Sequence, residues 1–180
     1  LRINPGFGHG HSQKTNTGGP SSKHGIWHEE LQQALAAAKK YDLIVEGIHM
    51  HIGSGTDFKH LSTVCDAMYK VVKAVGNEVT MISAGGGLPI PYHKDEDRIE
   101  VQKYSELWWN TRDKLAKELG HDMRLEIEPG RYLVAESGSL LTEVRGTKNQ
   151  GDKKYYLVDA GFNNNARPAM YGAYHHMDIL

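Results

Sequence analysis

The chain has 180 residues, of which 39% are hydrophobic and 24% charged, a composition typical of a folded globular protein. The 21 Lys and Arg residues nearly balance the 22 Asp and Glu residues, which excludes a nucleic-acid binder that depends on general basic attraction. The apolar runs are too short for a membrane span and no signal peptide is recognisable, so we expect no membrane partner. The single cysteine, Cys65, excludes an internal disulfide and favours the reducing cytoplasm.

The chain alternates between strand-like and helix-like segments. Strands are predicted at 1–4, 43–52, 79–84 and 124–128, and helices at 28–40, 58–75 and 101–119. One predicted helix lies between each pair of successive strands. This alternation predicts a parallel α/β sheet. Two further strands, 142–145 and 155–158, have no clear helix between them. We therefore predict a domain boundary that separates residues 1–141 from 142–180.

An unusual cluster follows each predicted strand. In chain order, these clusters read Asn-Pro-Gly at 4–6, His-Ile-Gly-Ser-Gly at 51–55, Gly-Gly-Gly at 85–87 and Glu-Pro-Gly-Arg at 128–131. The carboxyl ends of parallel strands share one face of the sheet, and ligand sites lie at that face. The four clusters should therefore meet at one site, in either a (β/α) barrel or a doubly wound sheet.

Several of these residues have more than one interpretation. The glycines at 85–87 could cradle a phosphate with their N–H groups or could simply form a turn. His49 and His51 lie two apart on a strand and face the same side, which suits a metal pair. No later strand end supplies another histidine, so a hydrogen-bonded core residue is the favoured interpretation for His49. Glu128 and Arg131 could form a simple salt bridge or could each contact part of a ligand.

A second candidate binding group lies near the end of the chain. Arg167 is followed by a proline, and Tyr171 comes four residues later. A guanidinium presents a planar fork of donors, which suits recognition of a carboxylate or a phosphate. No role is assigned to the histidine pairs at 9 and 11 or at 175 and 176.

The motifs HIGSG, GGG, EPGR and RPAMY, in this order, resemble the fold-type III decarboxylases that use pyridoxal 5'-phosphate (PLP). The resemblance implies part of an alanine racemase-like, PLP-binding (β/α)8 barrel, followed by the start of a C-terminal β domain. It also implies a homodimer with its site at the subunit interface. The segments RINPGFGHGHSQKTNTGG and VDAGFN are similar to the members that convert meso-diaminopimelate to L-lysine and CO2.

The resemblance also assigns roles to individual residues. His51 and Glu128 are the catalytic candidates, with His51 stacked on the PLP ring and Glu128 at the pyridine nitrogen. The implied phosphate site consists of Ser54, Gly85, Gly86, Gly87, Gly130 and Arg131. The implied substrate-binding residues are Arg131, Arg167 and Tyr171.

The chain departs from the family at one essential position. No residue matches the family's Schiff-base lysine, and we assign that role to neither Lys14 nor Lys23. The lysine and the family's catalytic cysteine are expected outside this chain, while Cys65 is expected in the core. Lys23-His24-Gly25 also differs from the Lys-Phe-Gly of many relatives.

A (β/α)8 barrel needs about 250 residues, and the chain opens without Met and stops without a cap. We therefore expect an internal piece of a larger enzyme that is inactive and marginally folded alone. Three alternatives remain open at this point. They are a PLP decarboxylase of ornithine or arginine, a PLP carrier without catalysis, and a metal-dependent barrel hydrolase.

Overall fold

A computed structural model describes residues 1–9, 16–54 and 57–180. The chain divides into two compact units. The first comprises Leu1–Ile90 and Asp97–Ala135, and the second comprises Pro91–Glu96 and Glu136–Leu180.

The first unit is built on short parallel strands. β1 (Ile3–Asn4) pairs with β2 (Ile26–Trp27), while β3 (Gly47–His49), β4 (Met81–Ser83) and β5 (Arg124–Glu126) pair in that order. A parallel bridge between Arg2 and His49 connects the two groups of strands. The predicted parallel sheet is therefore confirmed. β2 was not predicted.

The strands are shorter than the apolar runs that predicted them. The run over 43–52 contributes only Gly47–His49 to the ladder. The amide N–H of Leu43 donates to the carbonyl of Ala38 at 2.9 Å, so this residue helps to end the preceding helix instead of pairing in the sheet. Hydrophobic pattern alone cannot distinguish these two uses of an apolar residue.

Three helices connect the strands and cover the sheet. α1 is Leu31–Lys40 after a 3₁₀ turn at His28–Glu30, α2 is Phe58–Val75, and α3 is Val101–Leu119. The two longer helices have the predicted bounds. Their apolar faces pack with the strands into one core, whose most deeply buried members include Ile48, Met68, Val72, Ile82, Trp108 and Leu115. Among the described residues, no helix has both the length and the hydropathy that a membrane crossing requires.

A short helix that was not predicted, α4 (Gly130–Val134), follows β5 at the end of the first unit. The second unit contains a hairpin, in which β6 (Val144–Gln150) pairs antiparallel with β7 (Lys153–Val158). One further short helix, α5 (Arg167–Tyr171), follows. The two predicted strands are thus present, and β6 extends further than expected. The domain boundary between 141 and 142 stays a prediction.

Candidate active site

Three strand ends meet at the glycine segment 85–87. The N–H of Glu128 donates to the carbonyl of Gly85 at 2.8 Å. An ideal Cβ on Gly85 would lie 2.7 Å from the Met50 carbonyl oxygen, and one on Gly86 would lie 2.7 Å from the Glu128 carbonyl oxygen. Both distances are too short for a side chain, so glycine allows the three loops to close on one another. The predicted convergence of these strand ends is confirmed.

The first loop reaches the same region. Asn4 is buried, and its Oδ1 accepts hydrogen bonds from the N–H groups of Gly6 and Gly19 at 3.2 and 2.8 Å. The carbonyl of Ile52 accepts from the amide of His9 at 3.1 Å and from that of Thr17 at 3.2 Å. The loop after β1 is therefore attached to the end of β3. Lys14 and Gly55, which the sequence singled out, lie outside the described residues.

His51 lies beside the glycine segment. Its Cε1 is 3.4 Å from the position that a Cβ on Gly87 would occupy. Burial, followed by the charges of Arg2 and His49, lowers the pKa of His51, while the charge of Glu128 and a hydrogen bond with the Gly86 backbone act in the opposite direction. The imidazole is consequently neutral at pH 7. A flat, neutral ring at this edge suits stacking against a ligand ring.

Glu128 extends from the end of β5 towards His49. Its Oε2 lies 3.5 Å from His49 Nε2, and its side chain is 63% exposed. His49 Nε2 is buried and faces this carboxylate, and the expectation of a hydrogen-bonded core histidine stays a prediction. Burial lowers the pKa of His49, while the charge of Glu128 acts against that shift. No pattern in the sequence indicated this contact, since the spacing of His49 and His51 suggested only a metal pair.

The glycine segment also offers hydrogen-bond donors. No described residue accepts a hydrogen bond from the N–H of Gly86 or Gly87. Gly85 and Gly87 have φ angles of 66° and 99°, a left-handed conformation that glycine adopts without strain. Unpaired amides in such a loop form a concave site that favours an anion.

The remaining predicted residues are distributed over both units. Ser54 follows the end of β3 and is half-buried, while Gly130 and Arg131 open α4 in the first unit. Arg167 and Tyr171 are the two ends of α5 in the second unit. Within that unit, Arg167 contacts His175, a residue to which the sequence assigned no role.

A cluster of possible metal ligands lies at the start of α2. Asp57 Oδ1 caps the helix by accepting from the His60 N–H at 2.9 Å, and Asp57 Oδ2 lies 3.7 Å from His9 Nε2. The His9 and His60 rings are stacked, with centroids 3.8 Å apart and planes 17° apart. One ion cannot lie in both ring planes in this arrangement. The cluster is therefore a helix cap with stacked rings in its present geometry.

Cys65 is not part of the site. It is buried on α2, and burial raises the pKa of its thiol to about 11. A thiol that stays protonated is a poor nucleophile. The prediction that Cys65 belongs to the core is confirmed.

Comparison with known proteins decides the family. Residues 1–135 match the model of the pyridoxal-dependent decarboxylase, pyridoxal-binding domain. The chain belongs to the pyridoxal-dependent decarboxylase family. The predicted fold class, part of the PLP-binding barrel, is thereby confirmed.

The curated relatives agree with this assignment. The diaminopimelate decarboxylases of Escherichia coli K12 and Streptomyces coelicolor are each 55% identical to the chain over 180 residues. All of the chain is aligned in both cases, against 43% and 41% of the two relatives. The chain thus spans less than half the length of these relatives.

Solved structures of family members superpose closely. A crystal structure of diaminopimelate decarboxylase has a TM-score of 0.93 and 56% identity, over 98% of this chain and 42% of that one. The Helicobacter pylori enzyme complexed with L-lysine has a TM-score of 0.84 and 32% identity, over 97% of this chain and 43% of its own.

The first unit fits the cofactor of this family. PLP carries a phosphate, a pyridine nitrogen and a flat conjugated ring. The unpaired amides of Gly86 and Gly87 suit the phosphate, the carboxylate of Glu128 suits the nitrogen, and the neutral ring of His51 suits stacking. All of these residues lie at strand ends that contact one another.

Proposed function

We propose that the intact protein decarboxylates meso-diaminopimelate to L-lysine and CO2 with PLP as cofactor. The observation that carries the proposal is the meeting of His51, the glycines at 85–87 and Glu128 at three adjacent strand ends. The 55% identity to curated diaminopimelate decarboxylases supports this substrate.

When bound, PLP supplies a conjugated ring that accepts the electron pair left on Cα as the bond to the carboxylate breaks. In the proposed site, Glu128 keeps a proton on the pyridine nitrogen, which favours that electron withdrawal. His51 would support one face of the ring and leave the other face to the substrate. Ser54, the glycines at 85–87, Gly130 and Arg131 would surround the phosphate.

The arginines are proposed to bind the substrate and not the cofactor ring. Diaminopimelate has a carboxylate at each end, and only one of them leaves. A strong cation on the departing carboxylate would stabilise the ground state and slow the reaction. Arg167, with Tyr171 and Arg131, is therefore proposed to bind the distal carboxylate that stays in the product.

We also propose a homodimer with the site at its subunit interface, and a cytoplasmic location. The dimer follows from the family resemblance. The location is supported by a single cysteine that is buried and unpaired.

The test is an assay of the intact protein with PLP and meso-diaminopimelate, in which released L-lysine is measured. Glu128→Gln should lower kcat by about 100-fold or more, because the neutral amide no longer stabilises the protonated nitrogen. Glu126→Gln is the matched control, since the Glu126 carboxylate pairs with Arg124 at 2.8 Å and should affect kcat little. Turnover of ornithine or arginine without lysine release from diaminopimelate would contradict the proposal.

A further inference from the structure

The guanidinium of Arg167 is contacted by two side chains within the second unit. Its Nη1 lies 3.0 Å from His175 Nε2, and its Cζ lies 4.8 Å from the centroid of the Tyr92 ring. The Tyr92 and His175 rings also meet edge to face, with centroids 5.7 Å apart and planes 79° apart. All three residues are half-buried. They form a closed three-residue contact, which we call the Arg167 triad.

The direction of the hydrogen bond follows from the chemistry of the donor. A guanidinium has donors only and stays protonated, so Nη1 must donate and His175 Nε2 must accept. His175 can accept only as a neutral imidazole. Burial, and secondarily the charge of Arg167, lowers the pKa of His175, which is consistent with that state.

The backbone brings these residues together. Gly172 follows the last residue of α5; its φ of 63° reverses the chain, and its N–H donates to the Pro168 carbonyl at 2.9 Å. His175 is thereby returned to Arg167, eight residues earlier.

The segment that carries Tyr92 is fixed independently. Glu96 Oε2 accepts from the N–H groups of Tyr92 and His93 at 2.6 and 3.3 Å. The His93 ring stacks on Tyr174 with centroids 4.0 Å apart. The Tyr92 ring is therefore held against Arg167 by contacts outside the triad.

A fixed guanidinium binds a carboxylate at lower entropic cost than a free one. A free arginine side chain samples many rotamers, and part of that entropy is lost when a ligand is bound. In the triad, one N–H of the Arg167 guanidinium donates to His175, and one face of the guanidinium lies against Tyr92. The guanidinium has further N–H groups that can donate to a carboxylate.

We propose that His175 and Tyr92 are positioning residues that preorder Arg167 for the distal carboxylate of the substrate. This inference rests on the proposed function. Neither residue needs to touch the reacting atoms, so their loss should weaken substrate and product binding more than it slows the chemical step.

The test uses the intact protein loaded with PLP and compares His175→Phe with His175→Gln. Phe keeps an aromatic ring beside Tyr92 but cannot accept from Arg167, whereas Gln places an amide oxygen near the position of Nε2. We expect His175→Phe to raise KM for diaminopimelate and Ki for L-lysine about tenfold, with kcat lowered less than about threefold. His175→Gln should stay within about threefold of the wild type on all three constants.

Two controls separate positioning from a general structural effect. The Ki of 1,5-diaminopentane, which has the two amines of lysine and no carboxylate, should not change in His175→Phe. His176→Gln, at the neighbouring histidine that pairs with Asp178 at 2.9 Å, should behave as the wild type. Tyr92→Leu should raise Ki for L-lysine as well, and it provides the same measurement if His175→Phe does not fold.

Each outcome bears on the proposal. Provided that the wild type is active and His175→Phe is folded, equal Ki values of the two proteins for L-lysine overturn the proposal. A rise of both the L-lysine Ki and the 1,5-diaminopentane Ki in His175→Phe also overturns it. If His175→Phe does not fold, an unchanged Ki for L-lysine in Tyr92→Leu overturns it. A wild type that releases no lysine overturns the proposed function and this inference with it, so the two failures are distinguishable.

Discussion

At the residue scale, the lack of room for a side chain at positions 85 and 86 determines how the loops of the candidate site pack together. The sequence suggested that the glycines at 85–87 leave room for a ligand. The structure shows a second reason, because Cβ atoms at Gly85 and Gly86 would meet the backbone carbonyls of Met50 and Glu128. The same three glycines therefore close the loops, and the N–H groups of Gly86 and Gly87 have no acceptor among the described residues.

This explanation predicts a difference between two glycines with similar backbone angles. Gly85 and Gly120 have φ angles of 66° and 77°, but an ideal Cβ on Gly120 has nothing within 4 Å. Gly120→Ala should cost about 1 kcal/mol of unfolding free energy from conformation alone. Gly85→Ala adds a clash with the Met50 carbonyl and should cost about 2–4 kcal/mol. Urea unfolding of the intact protein measures both, and equal costs would contradict a role for the clash.

At the element scale, helical periodicity determines which residues reach the core. Trp108 and Trp109 are neighbours on α3, yet their side chains are 1% and 47% exposed. The helix turns about 100° per residue, so one ring enters the core while the other stays at the surface. At the surface, the Trp109 ring is 5.3 Å from Arg112 Cζ.

The two tryptophans form a matched pair for mutation. Trp108→Ala should destabilise the intact protein by about 3–5 kcal/mol, because it leaves a cavity in the core. Trp109→Ala loses a partly exposed surface contact and should cost about 1 kcal/mol or less. Chemical denaturation checks the difference. Similar values for the two variants would show that α3 does not pack in this orientation in the intact protein.

At the scale of the whole molecule, much apolar surface has no cover within the described residues. Ile44, Leu133, Val134 and Leu141 are between 64% and 80% exposed. The chain spans 43% of the length of its Escherichia coli relative, and a complete barrel takes about 250 residues. Exposed side chains of this kind are typical of surfaces that other parts of a protein cover.

We therefore expect residues 1–180, produced alone, to release no lysine from diaminopimelate and to unfold over a broad temperature range. Open strand edges and exposed apolar side chains among the described residues should make the folding of this piece marginal. Calorimetry and the lysine assay, with the intact protein as reference, test this expectation. A sharp, cooperative transition together with lysine release would show it to be wrong.

Much of this architecture could be predicted from the sequence by itself. The bounds of α2 and α3, the parallel order of β3, β4 and β5, and the meeting of their ends all followed from periodicity and from motif position. Local pattern determines these features, because helix and strand repeats are properties of neighbouring residues. The ordered motifs also indicate the family, because they lie in the segments that its members share.

Only the tertiary structure decided the pairings between distant residues. His49 Nε2 lies 3.5 Å from Glu128 Oε2, a contact between side chains 79 residues apart in the chain. His175, given no role, accepts a hydrogen bond from Arg167 beside Tyr92. β3 is shorter than its apolar run, because the N–H of Leu43 donates to the Ala38 carbonyl at the end of α1. Such contacts join residues that are far apart in the chain and depend on how the whole chain folds. A local sequence pattern does not specify which distant residues meet.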